Sequence, residues 1–189
     1  FCKGCFNGFV HDQVAKAVKS QKMFDKDDRI LVAVSGGKDS LALWDILLKL
    51  GYKADALYVN LGIGNYSERS YDKVRRFAET VAPLGTTLHT HTVEQEEGAG
   101  IRELSMLAHR PTCSTCGTIK RYQFNRAAIE HEYDVMATGH NLDDEAARLL
   151  GNVLHWQDDY LDKQGASLPA SVGAFANKVK PLYPLTERE

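Results

Sequence analysis

The chain has 189 residues, which is enough for one domain with a buried core. Its composition, with 43% hydrophobic and 25% charged residues, excludes a disordered or collagen-like chain. The net charge of −2 does not favour nucleic-acid binding by the whole molecule, so an RNA partner would require a local basic patch or a region outside this chain. No apolar run approaches the roughly 20 residues that span a bilayer, and no signal peptide precedes the first strand, so we expect a soluble cytoplasmic protein with no membrane partner.

Apolar spacing in residues 1–24 predicts a helix, and strands and helices then alternate. The apolar run 30–34 predicts a buried parallel strand, followed by a helix at 41–50. Further strands are predicted at 54–59, 87–93 (an alternating edge strand), 134–138 and 179–182. Further helices are predicted at 67–81 (capped by Ser67), 101–108, 117–131 and 142–154, with loops at 94–100 and 155–177. The alternation predicts an α/β fold, an open parallel sheet with helices on both faces.

A glycine-bearing segment, Ser-Gly-Gly-Lys-Asp-Ser at residues 35–40, joins the first predicted strand to a helix. Gly36 and Gly37 permit a tight turn and let backbone N–H groups approach an anion without a Cβ clash. The helix start adds unsatisfied N–H groups and the positive end of its dipole, while Ser35, Lys38 and Ser40 add donors. The segment, called the phosphate loop below, therefore suits phosphate; the alternative is a plain turn that contains two glycines. It lacks the Walker spacing.

A second polar segment, Gly139-His-Asn-Leu-Asp-Asp-Glu145, lies where another predicted strand ends and a helix begins. Ligands bind at this edge of an open α/β sheet. Two acids at a helix start also have a purely structural explanation, because they complement the dipole. For the pair we favour function, with Asp144 holding a metal or acting as general base and Asp143 in support.

The four cysteines form two CxxC pairs, Cys2/Cys5 and Cys113/Cys116. In a cytoplasmic chain of this size such pairs indicate metal binding or redox chemistry more often than disulfides. Each pair supplies two ligands, whereas a tetrahedral zinc ion or an iron–sulfur cluster needs more than two protein ligands. The sequence also starts abruptly at Phe1. We therefore expect the chain to be a piece of a longer protein.

The second CxxC pair lies at a predicted helix start, where the dipole favours thiolate. Lys120 and Arg121 follow one turn later and can stabilise a nucleotide phosphate or an adenylate. The alternative is a surface helix with ordinary charges. We favour a metal or sulfur role for the two thiols.

Five segments in order resemble the tRNA 2-thiouridine synthetases of the TtuA/TtcA type, with the TtuA branch nearer: VAVSGGKDSLALWD, LGIGNYSERS, CSTCGTIKRY, TGHNLDDEAARLLGN and VKPLYPLTERE. The SGGKDS string is similar to the PP-loop of the N-type ATP pyrophosphatases. The resemblance implies that this loop holds the β- and γ-phosphates of ATP as departing pyrophosphate, that Asp39 binds Mg²⁺, and that Lys120 and Asp144 are catalytic, with Asp143 and Asp39 assisting. It implies an ATP-binding set of Ala33, Ser35, Gly36, Gly37, Lys38, Asp39, Ser40, Val59, Lys120, Gly139 and Asp144, with adenine near Ala33 and Val59.

The same resemblance implies two metal centres. Cys113 and Cys116 match two of the three cysteines that hold a [4Fe–4S] cluster, whose third ligand lies beyond this chain. Cys2 and Cys5 match the second ligand pair of a small Zn²⁺ module. The expected division is thus 1–24, a partial zinc-binding module with a linker helix, and 25–189, a PP-loop domain without its C-terminal part.

The function implied is a tRNA sulfurtransferase that adenylates a uridine carbonyl and inserts sulfur to give 2-thiouridine. The expected partners are tRNA, a sulfur-carrier protein with a C-terminal thiocarboxylate or another sulfide donor, and a second copy in a homodimer. The alternatives are a PP-loop tRNA ligase, which needs no CxxC, a cytidine 2-thiolation enzyme, and a non-catalytic Fe–S or zinc module on a nucleotide-binding fold.

Overall fold

The computed structural model describes residues 2–161, 164–170 and 176–189. Its strands are β1 (Arg29–Val34), β2 (Lys53–Asn60), β3 (Leu88–Thr92), β4 (Val135–Thr138), β5 (Ser167–Leu168) and β6 (Asn177–Val179). Its α-helices are α1 (Lys3–Ser20), α2 (Lys38–Lys49), α3 (Gly64–Val81), α4 (Val93–Glu97), α5 (Ile101–Leu107), α6 (Thr112–Glu130) and α7 (Leu142–Leu154). Short 3₁₀ turns occupy Ala82–Leu84 and Asp158–Tyr160.

The six strands form one sheet in the order β3-β2-β1-β4-β6-β5. All neighbouring pairs are parallel except β5 with β6. Strand β1 pairs Val34 with Tyr58 of β2 and Ala33 with Thr138 of β4, so the carboxyl ends of these strands meet at one edge. The predicted open parallel sheet is confirmed, with β3 at an edge as expected.

Each face of the sheet has its own apolar core. Val32 of β1 packs with α1, α2 and α3 residues such as Val14, Trp44 and Val74, all fully buried. Leu31 points to the opposite face because successive side chains of a strand alternate. There it packs with Leu57, Ile101 and Ala127 from β2, α5 and α6. Helices therefore cover both faces, as the sequence predicted.

Several element boundaries differ from the prediction. Helix α2 begins at Lys38, not 41, and α6 begins at Thr112, not 117, so the phosphate loop and the second CxxC pair both enter helical turns. Helix α3 begins at Gly64, not at the expected cap Ser67. Ser67 is buried, and its hydroxyl accepts the Ile63 N–H at 2.9 Å from inside the first turn.

The predicted loops and the last strand also need correction. Residues 94–97 of the expected acidic loop, together with Val93 of the predicted strand 87–93, form helix α4, which ends at Gly98 with φ +74°. The last strand covers Asn177–Val179, not 179–182, and a two-residue antiparallel partner, β5, lies within the expected loop 155–177. Parts of that loop, 162–163 and 171–175, lie outside the described residues. Strands this short carry too few alternating positions for a periodicity signal.

Helix α1 packs its second half on the sheet. Val14, Ala17 and Val18 are buried in the same core as β1 and α2. The division at residue 25 into a zinc-module remnant and a PP-loop domain stays a prediction. Across the described ranges, no helix combines the length and the apolarity that a membrane span demands.

Candidate active site

A cavity of about 630 Å³ opens at the carboxyl edge of the sheet. Its walls come from the ends of β1, β2 and β4, the first turn of α2, the first two turns of α3 and α7, one face of α6, and β6. Nine of the eleven residues predicted to bind ATP line it: Ala33, Ser35, Gly37, Asp39, Ser40, Val59, Lys120, Gly139 and Asp144. Gly36 and Lys38 are the two that do not.

The phosphate loop is closed by hydrogen bonds among its own residues. The Ser35 N–H donates to Ser40 Oγ at 3.2 Å, and Ser40 Oγ donates to the Gly37 carbonyl at 3.1 Å. The Gly37 N–H lies 3.4 Å from Ser35 Oγ. Gly37 is the residue before α2, whose first N–H groups have no acceptor within the helix. The loop thus combines hydroxyls, free backbone donors and a helix dipole, the elements of a phosphate site.

Two glycines fix the loop against its neighbours. Gly36 has φ +79°, and a Cβ there would lie 2.7 Å from the Ser70 carbonyl oxygen of α3. A Cβ on Gly139, at the end of β4, would lie 2.9 Å from the Ser40 N. At Gly37 the nearest atom to an added Cβ is Ser35 Oγ, at 3.4 Å. Gly36 and Gly139 are therefore required by close backbone packing, whereas Gly37 is the one of the two loop glycines that lines the cavity.

Lys38 points to other partners. Its ammonium pairs with Asp39 Oδ1 at 2.9 Å and with Glu187 Oε1 at 3.1 Å, and its side chain is 60% exposed. Both carboxylates raise the pKa of Lys38. The lysine therefore ties the loop to the C-terminal segment in this structure, and its expected role as a phosphate donor stays a prediction.

The two acids at the start of α7 have different surroundings. Asn141 and Asp144 form a capping box, in which the Asp144 N–H donates to Asn141 Oδ1 at 3.0 Å and the Asn141 N–H donates to Asp144 Oδ2 at 3.2 Å. Asp144 also lines the cavity. Asp143 lies outside the lining, and its Oδ2 accepts the Glu187 N–H at 2.7 Å. The capping explanation thus holds for Asp144, and it coexists with a position in the cavity.

Helix α6 brings the second cysteine pair next to the cavity. The cavity is lined by Gly117, Lys120 and Phe124 of this helix. Starting from Cys113, the spacings to these residues are four, three and four, so all four residues lie on one helix face. Cys113 precedes Gly117 by about one turn, roughly 6 Å along the axis. Cys113 is exposed, and Cys116 packs partly buried against the α6-side core.

The sequence reasoning missed two basic residues of the cavity, Arg148 and Lys178. Arg148 follows Asp144 by four residues on α7, a spacing that puts both on one face and could have revealed it. Lys178 lies on β6, one residue before the strand that was predicted. Burial and then the positive charges of its neighbours lower the pKa of Lys178 to about 8. Burial, followed by the charge of Lys178, also lowers the pKa of His140.

A buried ion pair supports this side of the cavity. Lys180, which follows β6 and has no exposed surface, donates to Glu145 Oε2 of α7 at 2.6 Å. The second oxygen, Glu145 Oε1, is buried without a hydrogen bond. The pair fixes α7 to the β6 end of the sheet.

The donor chemistry of the chain matches the expected groups in part. Throughout the described residues, no group of three or more His, Cys, Asp or Glu side chains could hold a metal. Cys113 and Cys116 fit as two soft thiolate ligands of an iron–sulfur cluster, and Asp39 and Asp144 offer the hard oxygens that Mg²⁺ prefers. Cys2 and Cys5 are exposed at the start of α1, where the Cys5 N–H lies 3.4 Å from Cys2 Sγ, and they fit half of a zinc site.

The fold and the phosphate loop define the class of this protein. Residues 9–161 match the family model of the PP-loop domain, so the chain belongs to the PP-loop family. NH3-dependent NAD synthetase from Campylobacter jejuni shares the fold, with a TM-score of 0.55 at 16% identity over 97% of this chain and 68% of that one.

Within that class, the relatives are tRNA thiolation proteins. The chain is 46% identical over 182 residues to tRNA-5-methyluridine(54) 2-sulfurtransferase of Thermotoga maritima (96% of this chain, 59% of the relative) and 45% identical over 188 residues to that of Pyrococcus horikoshii (100% and 59%). The structure of U34-tRNA thiolase NcsA from Methanococcus maripaludis, solved with its [4Fe-4S] cluster, superposes with a TM-score of 0.84 at 28% identity over 100% of this chain and 62% of that one. The resemblance is confirmed, and the chain spans about three fifths of the length of its curated relatives.

Proposed function

We propose that the chain is the ATP-binding part of a tRNA sulfurtransferase that adenylates a uridine carbonyl and replaces its oxygen with sulfur. One observation carries the proposal: the phosphate loop, Lys120, Asp144 and the helix of the second CxxC pair meet at one cavity. The relatives named as tRNA 2-sulfurtransferases support it. A PP-loop ligase would need the loop but not the adjacent thiols.

In the proposed reaction, the phosphate loop binds the β- and γ-phosphates of ATP through the hydroxyls of Ser35 and Ser40 and the N–H groups at the start of α2. Adenine lies against the backbone at Ala33 and Val59, both of which line the cavity. Asp39 would hold Mg²⁺, which neutralises the phosphate charge when bound. This arrangement leaves the α-phosphate facing Lys120 and Asp144.

The uridine O2 then attacks the α-phosphorus, and the bond to the bridging oxygen breaks, which releases pyrophosphate. Lys120 offsets the charge that develops on the α-phosphate. Asp144 accepts the proton that the uridine N3 loses, while Asp143 holds the segment around Glu187 in place. Adenylation is required because a pyrimidine carbonyl oxygen is a poor leaving group until it is esterified.

Sulfide next attacks C2, and the C2–O2 bond breaks, so that the oxygen departs with AMP. Cys113 and Cys116, with a third ligand outside this chain, would hold a [4Fe–4S] cluster, which would supply an iron site for the sulfide. Lys120 follows Cys116 by four residues, so α6 places the thiols and the phosphate-facing cation on one element.

The remaining parts of the proposal concern the surroundings of the enzyme. The substrate is a tRNA, and sulfur comes from a carrier protein with a C-terminal thiocarboxylate or from another sulfide donor. Cys2 and Cys5 contribute to a zinc module, and the protein works in the cytoplasm as a homodimer. Which uridine is modified depends on which nucleotide of the tRNA reaches the cavity.

The test is tRNA thiolation by the natural full-length protein after anaerobic cluster reconstitution. With ATP, Mg²⁺, sulfide and tRNA, we expect 2-thiouridine by nucleoside mass spectrometry, together with pyrophosphate and AMP. Asp144→Asn should lower the rate by about 10²–10⁴-fold through the loss of proton transfer, with the cap shape retained. Asp143→Asn, outside the cavity, should lower it less. Thiolation without ATP, or a ligated product in place of 2-thiouridine, contradicts the proposal.

A further inference from the structure

Besides Lys120, three basic side chains line the cavity, each from a different element. They are Arg121 of α6, Arg148 of α7 and Lys178 of β6. Arg121 and Arg148 are exposed, whereas Lys178 is partly buried inside. The three therefore extend from the interior of the cavity to the protein surface.

These charges are close enough to repel one another. The pKa of Lys178 is lowered by burial and by the positive charges of Lys180, Arg148 and Arg121. Lys180 itself is neutralised by Glu145 at 2.6 Å. In the ranges that the structure describes, none of the three forms an ion pair, and Arg121 donates a hydrogen bond to the Thr118 hydroxyl at 3.4 Å. Like charges gathered without carboxylate partners disfavour the empty site and favour an anion in it.

We propose that Arg121, Arg148 and Lys178 form a second phosphate subsite, which binds a backbone phosphodiester of the RNA substrate while the phosphate loop binds ATP. The inference rests on the proposed function. It adds the surface by which a chain of net charge −2 attracts RNA, because phosphate contacts by Lys and Arg supply most of the sequence-independent affinity.

The position of the subsite favours RNA over the nucleotide as the source of the phosphate. The phosphates of ATP already have the hydroxyls and backbone donors of residues 35–40 on their own wall. The second set lies on α6, α7 and β6, and two of its three members are exposed. A polymer that enters from outside with a base in the cavity passes such residues, and a small nucleotide held inside does not need them.

The experiment measures tRNA and ATP affinities of the natural full-length protein as a function of salt. The variants are Arg148→Gln and Lys178→Met, with Arg76→Gln as a charge-matched control on the exposed surface of α3. The tRNA dissociation constant is measured at several KCl concentrations with a non-hydrolysable ATP analogue present. ATP affinity is measured without tRNA, and the circular dichroism spectrum verifies folding.

We expect each cavity variant to reduce the slope of log K against log salt by about 0.7–0.9 and to weaken tRNA binding about five-fold near 0.15 M salt, because each variant removes one cation that neutralises a phosphate. ATP affinity should stay unchanged, and Arg76→Gln should match the wild type. A loss of ATP affinity with tRNA binding retained would assign the subsite to the nucleotide and overturn the inference. Unchanged affinities for both ligands would overturn it as well.

The outcomes separate this inference from the proposed function. If the wild-type protein thiolates tRNA but the cavity variants bind it normally, only the subsite is refuted. If the wild-type protein neither binds nor thiolates any tRNA, the proposed function fails and the subsite fails with it.

Discussion

The two walls of the cavity are built in different ways. The phosphate loop is shaped by hydrogen bonds within six consecutive residues, Ser35 to Ser40. A second part of the lining, called the basic wall below, consists of Lys120, Arg121, Arg148 and Lys178, and it gathers charges from three elements that are distant in sequence. A local hydrogen-bond pattern holds the first wall, whereas tertiary packing and one buried ion pair hold the second. Changes to the two walls should therefore have different consequences.

The largest effect should separate sulfur transfer from ATP binding. Cys113→Ser removes a thiol at the start of α6, beside the basic wall, so we expect loss of the iron–sulfur absorbance and thiolation at background level. ATP binding should persist because the phosphate loop has its own support. Cys2→Ser, the corresponding change at the distant α1, should retain both the absorbance and most of the thiolation. Equal thiolation by Cys113→Ser and wild-type protein would remove the distinction between the cysteine pairs.

The support of the basic wall can be broken through its buried ion pair. Lys180→Met leaves Glu145 buried without its partner, so we expect the free energy of unfolding to fall by about 3–5 kcal/mol in urea denaturation. Lys49→Met removes the exposed pair with Asp45 on α2 and should cost no more than about 0.5 kcal/mol. The double change Lys180→Met with Glu145→Gln should recover part of the loss. Similar effects of Lys180→Met and Lys49→Met would show that the pair does not support this wall.

The phosphate loop depends on one of its two glycines for stability. Gly36→Ala forces a side chain into φ +79° and a Cβ against the Ser70 carbonyl, at an expected cost of about 1–3 kcal/mol. Gly37→Ala meets only Ser35 Oγ at 3.4 Å and should change stability little, although its Cβ enters the phosphate site and should weaken ATP binding. Thermal unfolding and ATP titration of both variants measure the two effects. Equal destabilisation by the two changes would contradict this division.

The last prediction concerns the pH dependence of stability. Lys178 faces Lys180, Arg148, Arg121, Glu145 and His140, and its pKa is about 8 in the folded chain against an ordinary 10.5. Between these values the unfolded chain holds a proton that the folded chain has released, so this lysine makes stability rise with pH there. Lys178→Met should lack that rise and be more stable than wild type at pH 7. The exposed Lys73→Met is the control, and parallel pH profiles for Lys178→Met and wild type would refute the shift.

The sequence was informative where structure is local. The run 30–34, the phosphate loop and the helix after it lie consecutively, and their periodicity and glycines predicted the strand, turn and helix that the structure contains. The three-residue β6 and two-residue β5 were misplaced or missed, because they are defined by pairing with β4 and with each other.

The same distinction applies to the site. Asp144 and Lys120 were found through motifs that occupy helix starts or follow a CxxC pair. Lys178 has no such local marker, since its importance arises when β6 pairs with β4 and brings it into the cavity. The ion pair and the hydrogen bond from Lys38 to Glu187 join residues that are 149 positions apart, and no local sequence pattern predicts such contacts.

The glycine at the end of β4 has a consequence for the spacing between the phosphate loop and α7. A Cβ on Gly139 would lie 2.9 to 3.0 Å from the backbone of Asp39 and Ser40, and only His140 separates Gly139 from the cap residue Asn141. The phosphate loop and the start of α7 are therefore held at a close spacing by main-chain packing around Gly139. In the proposed reaction, the spacing between the bound phosphates and Asp144 is therefore set when the chain folds, because no side chain fits between β4 and α2 at this point.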